Sequence, residues 1–279
     1  MTMATDKKPE WYQQDVKSIN PDAQKLLESY SGLQPEQVLP HVLSLREEAF
    51  QIYQYPCIGQ MRFLSFNLSS HPLYERVLEY LRTSPDAGFL DAGCCFGQEI
   101  RFLAHQGIPG RQLFGLDLEQ AFIDLGYQLF QDKDRLDATF ASGSLTVDND
   151  SEELIQTIGG KIDIIFASSL LHLWDYKMQL KAATRLVRLF RDRVGVMFVG
   201  RQVGSLFAGD YHTEFNGMVQ YRHNIESIKG MWYDIGKATD TRWEVEAELK
   251  MEDLIEQVKH LAWADENMRM IWWSVTRVA

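Results

Sequence analysis

The stretch Phe89-Leu90-Asp91-Ala92-Gly93-Cys94-Cys95-Phe96-Gly97-Gln98 decides which fold this sequence adopts. An apolar run reaches an acid, a turn of small residues follows, and helical periodicity begins immediately after it. Such a turn lets backbone N–H groups approach a carboxylate or a ribose, and the helix amino terminus adds a field that favours negative charge. An ordinary strand-to-helix connection is the alternative. We expect instead that this segment binds a ligand through Asp91, Gly93, Cys95 and Gly97.

A second strand ends in an acid one unit further along the chain. Leu113-Phe114-Gly115-Leu116-Asp117 places Asp117 20 residues after Gly97. A carboxylate at this place can accept both hydroxyls of a ribose that lies across the switch point of the sheet. The same spacing serves NAD, but dinucleotide enzymes need G-x-G-x-x-G, and the turn here is D-x-G-x-C-x-G. The ligand is therefore expected to contain a ribose without being a dinucleotide.

From residue 88 onward, short apolar runs alternate with stretches of helical periodicity, which predicts βαβ units and a parallel sheet covered by helices on both faces. The last part of the chain differs, because an alternating stretch is followed by a helical one and then by an apolar run. We therefore predict an α/β fold with a mostly parallel sheet and an antiparallel last strand. The predicted strands are 88–92, 113–116, 138–141, 162–167, 194–199, 242–250 and 268–277, and the helices are 98–106, 119–130, 151–158, 176–190 and 251–263.

The amino-terminal part is predicted to be a helical cap. Asn20-Pro21-Asp22 has the residue types of an N-cap followed by proline at the first helical position, and a second helix starts after Gln34-Pro35-Glu36. A further helix is expected over residues 72–81. We therefore divide the chain into a cap with a pre-motif segment, residues 1–82, and an α/β domain, residues 83–279.

Composition and charge argue against several classes of function. The formal net charge of -11 and the pI near 5.1 leave no general positive field to attract a phosphate backbone, so we expect no nucleic-acid partner. No apolar run is long enough for a membrane span and the start lacks a secretory signal, so we expect a cytoplasmic protein without membrane insertion. Cys57, Cys94 and Cys95 have no partners at metal-ligand spacing, so we expect reduced thiols and no metal.

The strand ends at Asp91 and Asp117 resemble motifs I and II of class I methyltransferases that use S-adenosylmethionine (SAM), and residues 161–174, KIDIIFASSLLHLW, resemble motif IV. The segments DAGCCFGQ, GLDLEQAFIDLGYQLF, ASSLLHLW and FVGRQVGS are further similar to fungal methyltransferases of polyketide and meroterpenoid pathways, several of which methylate a carboxyl group. The similarity continues in YPCIGQMRFL, NLSSHPLYERVL and HNIESIKGMWYDIGKATDTRWEVEAEL, and so extends over most of the chain.

This resemblance implies a Rossmann-like fold, SAM as the cofactor and a small molecule as the acceptor. Two positions depart from the family pattern. Cys95 stands where the turn usually has its middle glycine, and Gly143 stands where such enzymes place an aspartate for the adenine amino group. Ser144 or its backbone can replace that acid; otherwise the cofactor binds more weakly or the fold serves another use. The resemblance also places Leu118 and Ala167 beside the cofactor.

The best candidate for a catalytic residue is His172, which follows a strand end by about five residues and so lies over the mouth of the site. A histidine there can act as a base or as a hydrogen-bond donor near physiological pH. A packed structural role among the neighbouring leucines is an equal alternative. The cluster of Ser168, Ser169, His172 and Asp175 is too compact for a hydrolase triad, and the chain has no G-x-S-x-G elbow.

Several other residues are candidates for contact with the acceptor. Trp174 follows motif IV and is expected to form a wall of the pocket. Arg62 and Tyr53 lie in the pre-motif segment that class I enzymes often fold over the cofactor, and the arginine could hold either a methionine carboxylate or an acceptor carboxylate. Tyr211 and His212 follow the fifth strand, a common place for loops that contact the substrate.

The expected reaction is methyl transfer from SAM to an oxygen, preferably a carboxylate, of a small natural product. A carboxylate needs no general base, so the absence of an obvious base pair does not oppose this assignment. A non-methylating cyclisation or isomerisation on the same fold is the alternative, motivated by Gly143. A third hypothesis is a binding partner without enzymatic activity that uses the fold as a scaffold. The acids and glycines of the cofactor turn argue against it, because a protein that no longer binds the cofactor need not keep them. A homodimer is left open.

Overall fold

The computed structural model describes residues 8–212, 219–251 and 264–279, and nine strands lie within these ranges. Seven of them form one sheet in the order β3-β2-β1-β4-β5-β9-β8, and the other two form a separate hairpin. The strands are β1 Phe89–Ala92, β2 Leu113–Asp117, β3 Thr139–Ser142, β4 Ile164–Ser168, β5 Met197–Ser205, β6 Gly209–His212, β7 Val219–Arg222, β8 Trp243–Lys250 and β9 Met268–Arg277.

The sheet confirms the predicted class. Strands β1 to β5 pair in parallel, and β9 runs antiparallel to both of its neighbours, β5 and β8. The chain reverses its order between β1 and β4, so a crevice opens at the carboxyl ends of these two strands. The helix predicted over residues 251–263 falls outside the described residues, apart from its first position.

Helices cover both faces of the sheet, and most begin near the predicted positions. Asn20 caps the first helix, because its Oδ1 accepts the N–H of Asp22 at 2.8 Å. The hairpin and the helix that follows it were not predicted. Within the described ranges, no helix is both long and apolar enough to cross a membrane. The helices are α1 Pro21–Ser29, α2 Pro35–Ile52, α3 Pro56–Gly59, α4 Tyr74–Thr83, α5 Gln98–His105, α6 Gln120–Phe130, α7 Asp148–Ile158, α8 Tyr176–Val187 and α9 Ile225–Thr239, with short 3-10 turns η1 Arg62–Leu64, η2 Gly110–Gln112 and η3 Leu171–Leu173.

Alternate residues of the strands point to opposite helical layers, as the strand period of two requires. On β1, Phe89 packs into the layer of α4 and α5, while Leu90 packs into the layer of α8 and α9. Both side chains are completely buried. The second layer is rich in aromatic rings, with Trp232 of α9 and Trp273 of β9 5.6 Å apart between ring centroids. These two layers hold the strand ends in fixed positions.

The amino-terminal helices pack against α6 rather than standing apart from the sheet. Leu27, Phe50 and Phe63 share one cluster of buried residues with Phe122 of α6 and with Phe96, which belongs to the turn after β1. Phe63 and Phe96 are 4.7 Å apart between ring centroids. The cap therefore covers the turn that the sequence assigns to ligand binding, while the division of the chain at residue 82 stays a prediction.

Candidate active site

The carboxyl ends of the parallel strands bring the predicted polar residues to one edge of the sheet. Asp91 of β1 lies in register with Gly115 of β2, and Ser168 of β4 lies opposite Arg201 of β5. The side-chain oxygens of Asp91 and Ser168 include buried atoms that have no hydrogen-bond partner among the described residues. Buried polar atoms are nearly always paired in folded proteins, so unpaired ones gathered at one edge mark a ligand-binding site.

The turn after β1 has the conformation that its small residues predict. Gly93, Cys95 and Gly97 all have positive φ angles, of 77°, 52° and 67°. Glycine suits position 93 because of its positive φ, and a Cβ there would also be in tight contact with the Leu170 side chain, at 3.0 Å. The Gly93 N–H donates to the carbonyl of Leu116 at 2.7 Å, which joins the turn to β2.

A buried ion pair that the sequence analysis missed holds this turn from behind. Arg101 of α5 donates to both carboxylate oxygens of Asp132, at 2.9 and 3.1 Å, and to the carbonyl of Phe96 at 3.1 Å. Both charged side chains are completely buried. The hydroxyl of Tyr30, in the cap, donates to the same carboxylate at 2.9 Å. The signal in the sequence that could have revealed this ion pair was an arginine among the apolar residues of α5.

Asp117 already accepts hydrogen bonds from the neighbouring backbone. Its Oδ2 accepts the N–H of Cys95 at 2.7 Å, and its Oδ1 accepts the N–H of Glu119 at 3.1 Å. Burial raises the pKa of this carboxyl, and these N–H groups oppose the rise. Beside it, Leu118 is 56% exposed, which leaves an apolar surface against which a planar base could pack. The ribose role of Asp117 stays a prediction, and so does that of Leu118.

The positions expected near the adenine offer backbone groups and hydroxyls rather than a carboxylate. The Gly143 N–H donates to the carbonyl of Asp117 at 3.0 Å. The Ser144 Oγ accepts the N–H groups of Thr146 at 3.1 Å and Val147 at 3.2 Å, so it stabilises its own loop. Ala167 is buried in β4. The adenine contacts of these three predicted residues are untested.

A second acid, Glu99 in the first turn of α5, stands beside Asp91 and was also missed. Its Oε1 accepts the N–H groups of Asn67 at 2.6 Å and Leu68 at 3.1 Å, while its Oε2 is buried without a partner among the described residues. Burial raises the pKa of Glu99 to about 7 and, together with the charges of Glu99 and Asp117, raises that of Asp91 well above its usual value. An acid in the first turn of a helix that follows a ligand-binding turn was the available signal.

His172 lies on η3, between the end of β5 and the hairpin. Its ring is partly exposed, but its Nδ1 is buried without a partner among the described residues. Burial lowers the pKa of His172 to about 3, and the positive charges of Arg222, Arg62 and Arg201 lower it further. We call these three arginines the arginine cluster. The histidine is therefore neutral at physiological pH, within a positive field.

The members of the arginine cluster come from separate elements. Arg62 is on η1 and is only partly exposed, and the structure gives its side chain no hydrogen-bond or ion-pair partner among the described residues. Burial lowers the pKa of Arg62 to about 10, and Arg201 contributes to this decrease. Arg201 is buried on β5, 5.3 Å from the ring centroid of Trp272. Arg222 on β7 pairs with Asp265 at 2.6 Å.

The remaining predicted acceptor residues lie at different distances from this cluster. Trp174 packs against the core and its carbonyl accepts the N–H of Tyr221 at 3.0 Å, which joins η3 to the hairpin. The ring of Tyr211 lies under Arg222, 4.3 Å from ring centroid to guanidinium. His212 is exposed at the end of β6. Their roles toward an acceptor are untested.

Tyr53 is the C-cap residue at the end of α2. Its ring stacks on that of Tyr55 at 4.0 Å between centroids. Burial raises the pKa of Tyr55, and the charge of Asp117 contributes to the rise, which places this ring pair near the predicted ribose site. The contact between Tyr53 and an acceptor stays a prediction.

Comparison with known proteins adds family-level information to this geometry. Residues 11–64 match the model of a meroterpenoid methyltransferase N-terminal domain, and residues 90–193 match that of a methyltransferase domain. The chain is 38% identical to the O-methyltransferase phiE of a fungal species over 84% of its length and 78% of that protein. It is 36% identical to the O-methyltransferase atr3 of Stereocaulon alpinum over 86% of its length and 69% of that protein.

The fold also resembles solved methyltransferases. The CurJ carbon methyltransferase matches 92% of the chain and 67% of its own length, with a TM-score of 0.51 and 16% identity. At that identity the likeness concerns the fold alone. The seven-stranded sheet with its antiparallel β9 thus has the Rossmann-like architecture of class I methyltransferases.

Proposed function

The chain belongs to the family of fungal methyltransferases of secondary metabolism, and on that premise we propose that it transfers a methyl group to a carboxylate oxygen of a small natural product. The family uses SAM as its cofactor. The names of the relatives phiE and atr3 support oxygen as the methylated atom. The net charge of -11 supports a small molecule rather than nucleic acid as the acceptor.

The observation that carries the proposal is a neutral His172 beside the arginine cluster. General bases work best when their pKa lies near the operating pH. A histidine whose pKa is lowered to about 3 is a poor base for the proton of a phenol or an enol. A carboxylate is already ionised at neutral pH, so it can attack a methyl group without losing a proton in the reaction.

The arginine cluster supplies the matching charge for such an acceptor. A guanidinium binds a carboxylate with two parallel hydrogen bonds, which fixes the direction of the acceptor as well as its position. Arg62 is the best placed for this role, since its side chain has no hydrogen-bond or ion-pair partner in the part of the chain that the structure describes. Bound SAM supplies a methyl group activated by its positive sulfur. The residues then have to align the acceptor oxygen and exclude water.

The test is the chemical nature of the product. The protein is incubated with methyl-labelled SAM and matched pairs of aromatic and terpenoid acceptors, one member a carboxylic acid and the other the corresponding alcohol or phenol. We expect label only in the acids, and we expect mild alkali to release it as methanol, because methyl esters hydrolyse under conditions that leave methyl ethers intact.

Two outcomes oppose the proposal. An alkali-stable labelled product on the phenols would identify a hydroxyl acceptor. Conversion of an acceptor to an isomer of unchanged mass, without label, would favour the cyclisation or isomerisation that Gly143 motivates. Reactions with methyl-labelled SAM but without the protein control for non-enzymatic transfer.

A further inference from the structure

Asp91 and Glu99 are two buried acids that each retain one carboxylate oxygen without a hydrogen-bond partner in the described part of the chain. Asp91 is 3% exposed and Glu99 is 1% exposed. Each has one carboxylate oxygen, Oδ2 and Oε2 respectively, that is buried and has no hydrogen-bond partner among the described residues. Leaving a charged oxygen buried and unpaired is strongly unfavourable, so both atoms point to a positively charged hydrogen-bond donor that binds between these acids.

The surroundings leave these two oxygens available. Asn67 and Leu68 occupy only the Oε1 of Glu99, and they hold the side chain so that Oε2 remains unpaired. The neighbouring carboxylate of Asp117 has both of its oxygens in hydrogen bonds to backbone N–H groups. Arg201 is the cation that acts on Glu99, and its charge opposes the increase in the pKa of that acid without abolishing it.

We propose that Glu99 is a second acidic ligand for the methionine ammonium group of SAM, acting together with Asp91. An ammonium group is compact and carries three N–H donors, so it can satisfy both unpaired oxygens at once. The sulfonium centre of SAM is positive as well, but it has no hydrogen to donate. The hydroxyls of the ribose are the groups predicted to bind Asp117, further along the same edge of the sheet.

The proposal has a consequence for proton binding. Without the cofactor, burial favours the protonated forms of Asp91 and Glu99, and the charges of Glu99 and Asp117 add to this effect at Asp91. An ammonium group favours the ionised forms, so its binding releases protons near pH 7. Affinity for a ligand that carries this group should therefore rise with pH through about 7, where the pKa of Glu99 lies.

The test compares two ligands that share the adenosine and differ at the methionine end. S-adenosylhomocysteine (SAH) carries the ammonium group, and 5′-methylthioadenosine lacks the whole amino-acid end. Their affinities are measured by calorimetry on the wild type and on Glu99→Gln, whose amide oxygen can still accept from Asn67 and Leu68. Glu79→Gln, at an exposed position of α4, controls for the loss of one negative charge.

We expect Glu99→Gln to bind SAH at least tenfold more weakly than the wild type, and to bind 5′-methylthioadenosine with an affinity within about twofold of the wild-type value. The affinities of Glu79→Gln for both ligands should equal those of the wild type. Equal losses for the two ligands would assign Glu99 a structural role and overturn the proposal, and unchanged SAH affinity would also overturn it. Calorimetry of the wild type in buffers of different ionisation enthalpy counts the released protons. If SAH releases no more protons than 5′-methylthioadenosine near pH 7, the proposal is wrong, whether or not the variant folds.

Discussion

The proposed site has two halves, one for the cofactor and one for the acceptor, which carry opposite charges and are built in different ways. The cofactor half contains the acidic cluster Asp91, Glu99 and Asp117, and it lies on β1, α5 and β2 around one continuous turn. The acceptor half contains the arginine cluster, which comes from η1, β5 and the β6–β7 hairpin. The cofactor half is held by a completely buried ion pair, whereas the ion pair described in the acceptor half, Arg222 with Asp265, has a carboxylate that is 34% exposed.

This difference suits the two ligands. A cofactor common to a whole family needs one geometry, and a short segment of local sequence can encode it. An acceptor that differs between family members is better bound by separate loops, which can change without disturbing the core. The opposite charges also direct the two reactants to different places, since the ammonium group of the cofactor is attracted to the acidic half and the carboxylate of the proposed acceptor to the basic half.

The largest effect is expected on the free energy of unfolding, when the buried ion pair between Arg101 and Asp132 is removed. Arg101→Met leaves the Asp132 carboxylate buried without its guanidinium partner, although the Tyr30 hydroxyl still donates to it, and the loss of one partner of a buried ion pair costs about 3–5 kcal/mol. Urea unfolding of the protein without ligand measures this change. Arg277→Gln removes a pair with Asp192, which is 93% exposed, and is expected to cost about 1 kcal/mol or less. Equal losses in the two variants would show that the buried pair has no special role.

The next largest effect is expected on cofactor affinity in Asp117→Ala. The variant leaves both ribose hydroxyls unpaired, which costs roughly 2 to 4 kcal/mol and weakens SAH binding at least tenfold. Because the ribose is common to both ligands, 5′-methylthioadenosine should lose affinity as well, unlike in Glu99→Gln. Calorimetry makes the comparison, with Asp117→Asn as the variant that retains one acceptor oxygen. Unchanged SAH affinity in Asp117→Ala would contradict the ribose assignment.

Arg62→Gln should affect only the acceptor half. We expect the KM for a carboxylic acid acceptor to rise about tenfold, equivalent to about 1.4 kcal/mol, while SAH affinity stays the same. The KM of Arg62→Lys should lie between those of the wild type and Arg62→Gln, since lysine keeps the positive charge but cannot form the two parallel hydrogen bonds. Steady-state kinetics measures the KM for the acceptor, and calorimetry measures the affinity for SAH. A fall in SAH affinity with an unchanged acceptor KM would show that Arg62 holds the methionine carboxylate of the cofactor.

The two halves should respond oppositely to pH in the absence of ligand. The raised pKa of Glu99, about 7 against 4.5, gives a contribution to stability that is present below pH 4.5 and lost as the pH rises through 7. The lowered pKa of His172, about 3 against 6.5, gives a contribution that is present above pH 6.5 and lost as the pH falls toward 3.

Unfolding free energies measured from pH 4 to pH 8 test this contrast. Glu99→Gln should flatten the curve between pH 5 and 7, and His172→Gln should flatten it below pH 6, each by up to about 1.4 kcal/mol per pH unit. Curves parallel to that of the wild type would show that these groups titrate alike in the folded and unfolded chains.

The smallest effect is expected on the rate in His172→Gln. If the acceptor is a carboxylate, the histidine only positions it, and a glutamine that retains a donor should reduce kcat by less than about tenfold. The pH profile of kcat for the wild type, measured at saturating SAM so that the pH dependence of cofactor binding does not enter, should show no limb near the ordinary pKa of histidine. A drop of several hundredfold, with normal folding and SAH affinity, would instead identify His172 as a base for a hydroxyl acceptor, because loss of a general base costs about 100-fold or more.

Local sequence was enough to predict the turn after β1 and the acids near the ends of β1 and β2, because each of these features lies within a few consecutive residues. The turn from Asp91 to Gly97 needs positive φ angles, which its small residues allow, and the strand ends at Asp91 and Asp117 follow from apolar runs. The same argument predicted the parallel sheet and the antiparallel last strand. It missed Glu99, because a charged residue in a first helical turn is usually exposed and nothing in the local pattern shows that this one is buried.

What the sequence by itself determined is the class of fold, the family and the conformation of the turn after β1, since these depend on periodicity and on the conformational needs of neighbouring residues. Only the tertiary structure placed Arg62, Arg201 and Arg222 around His172, and only it paired Arg101 with Asp132. The residues joined in this way are 29 to 110 positions apart in the chain, and they act on one another through burial and charge between separate elements. Such contacts leave no periodic signal in the chain, so only the folded sheet and its loops decide them.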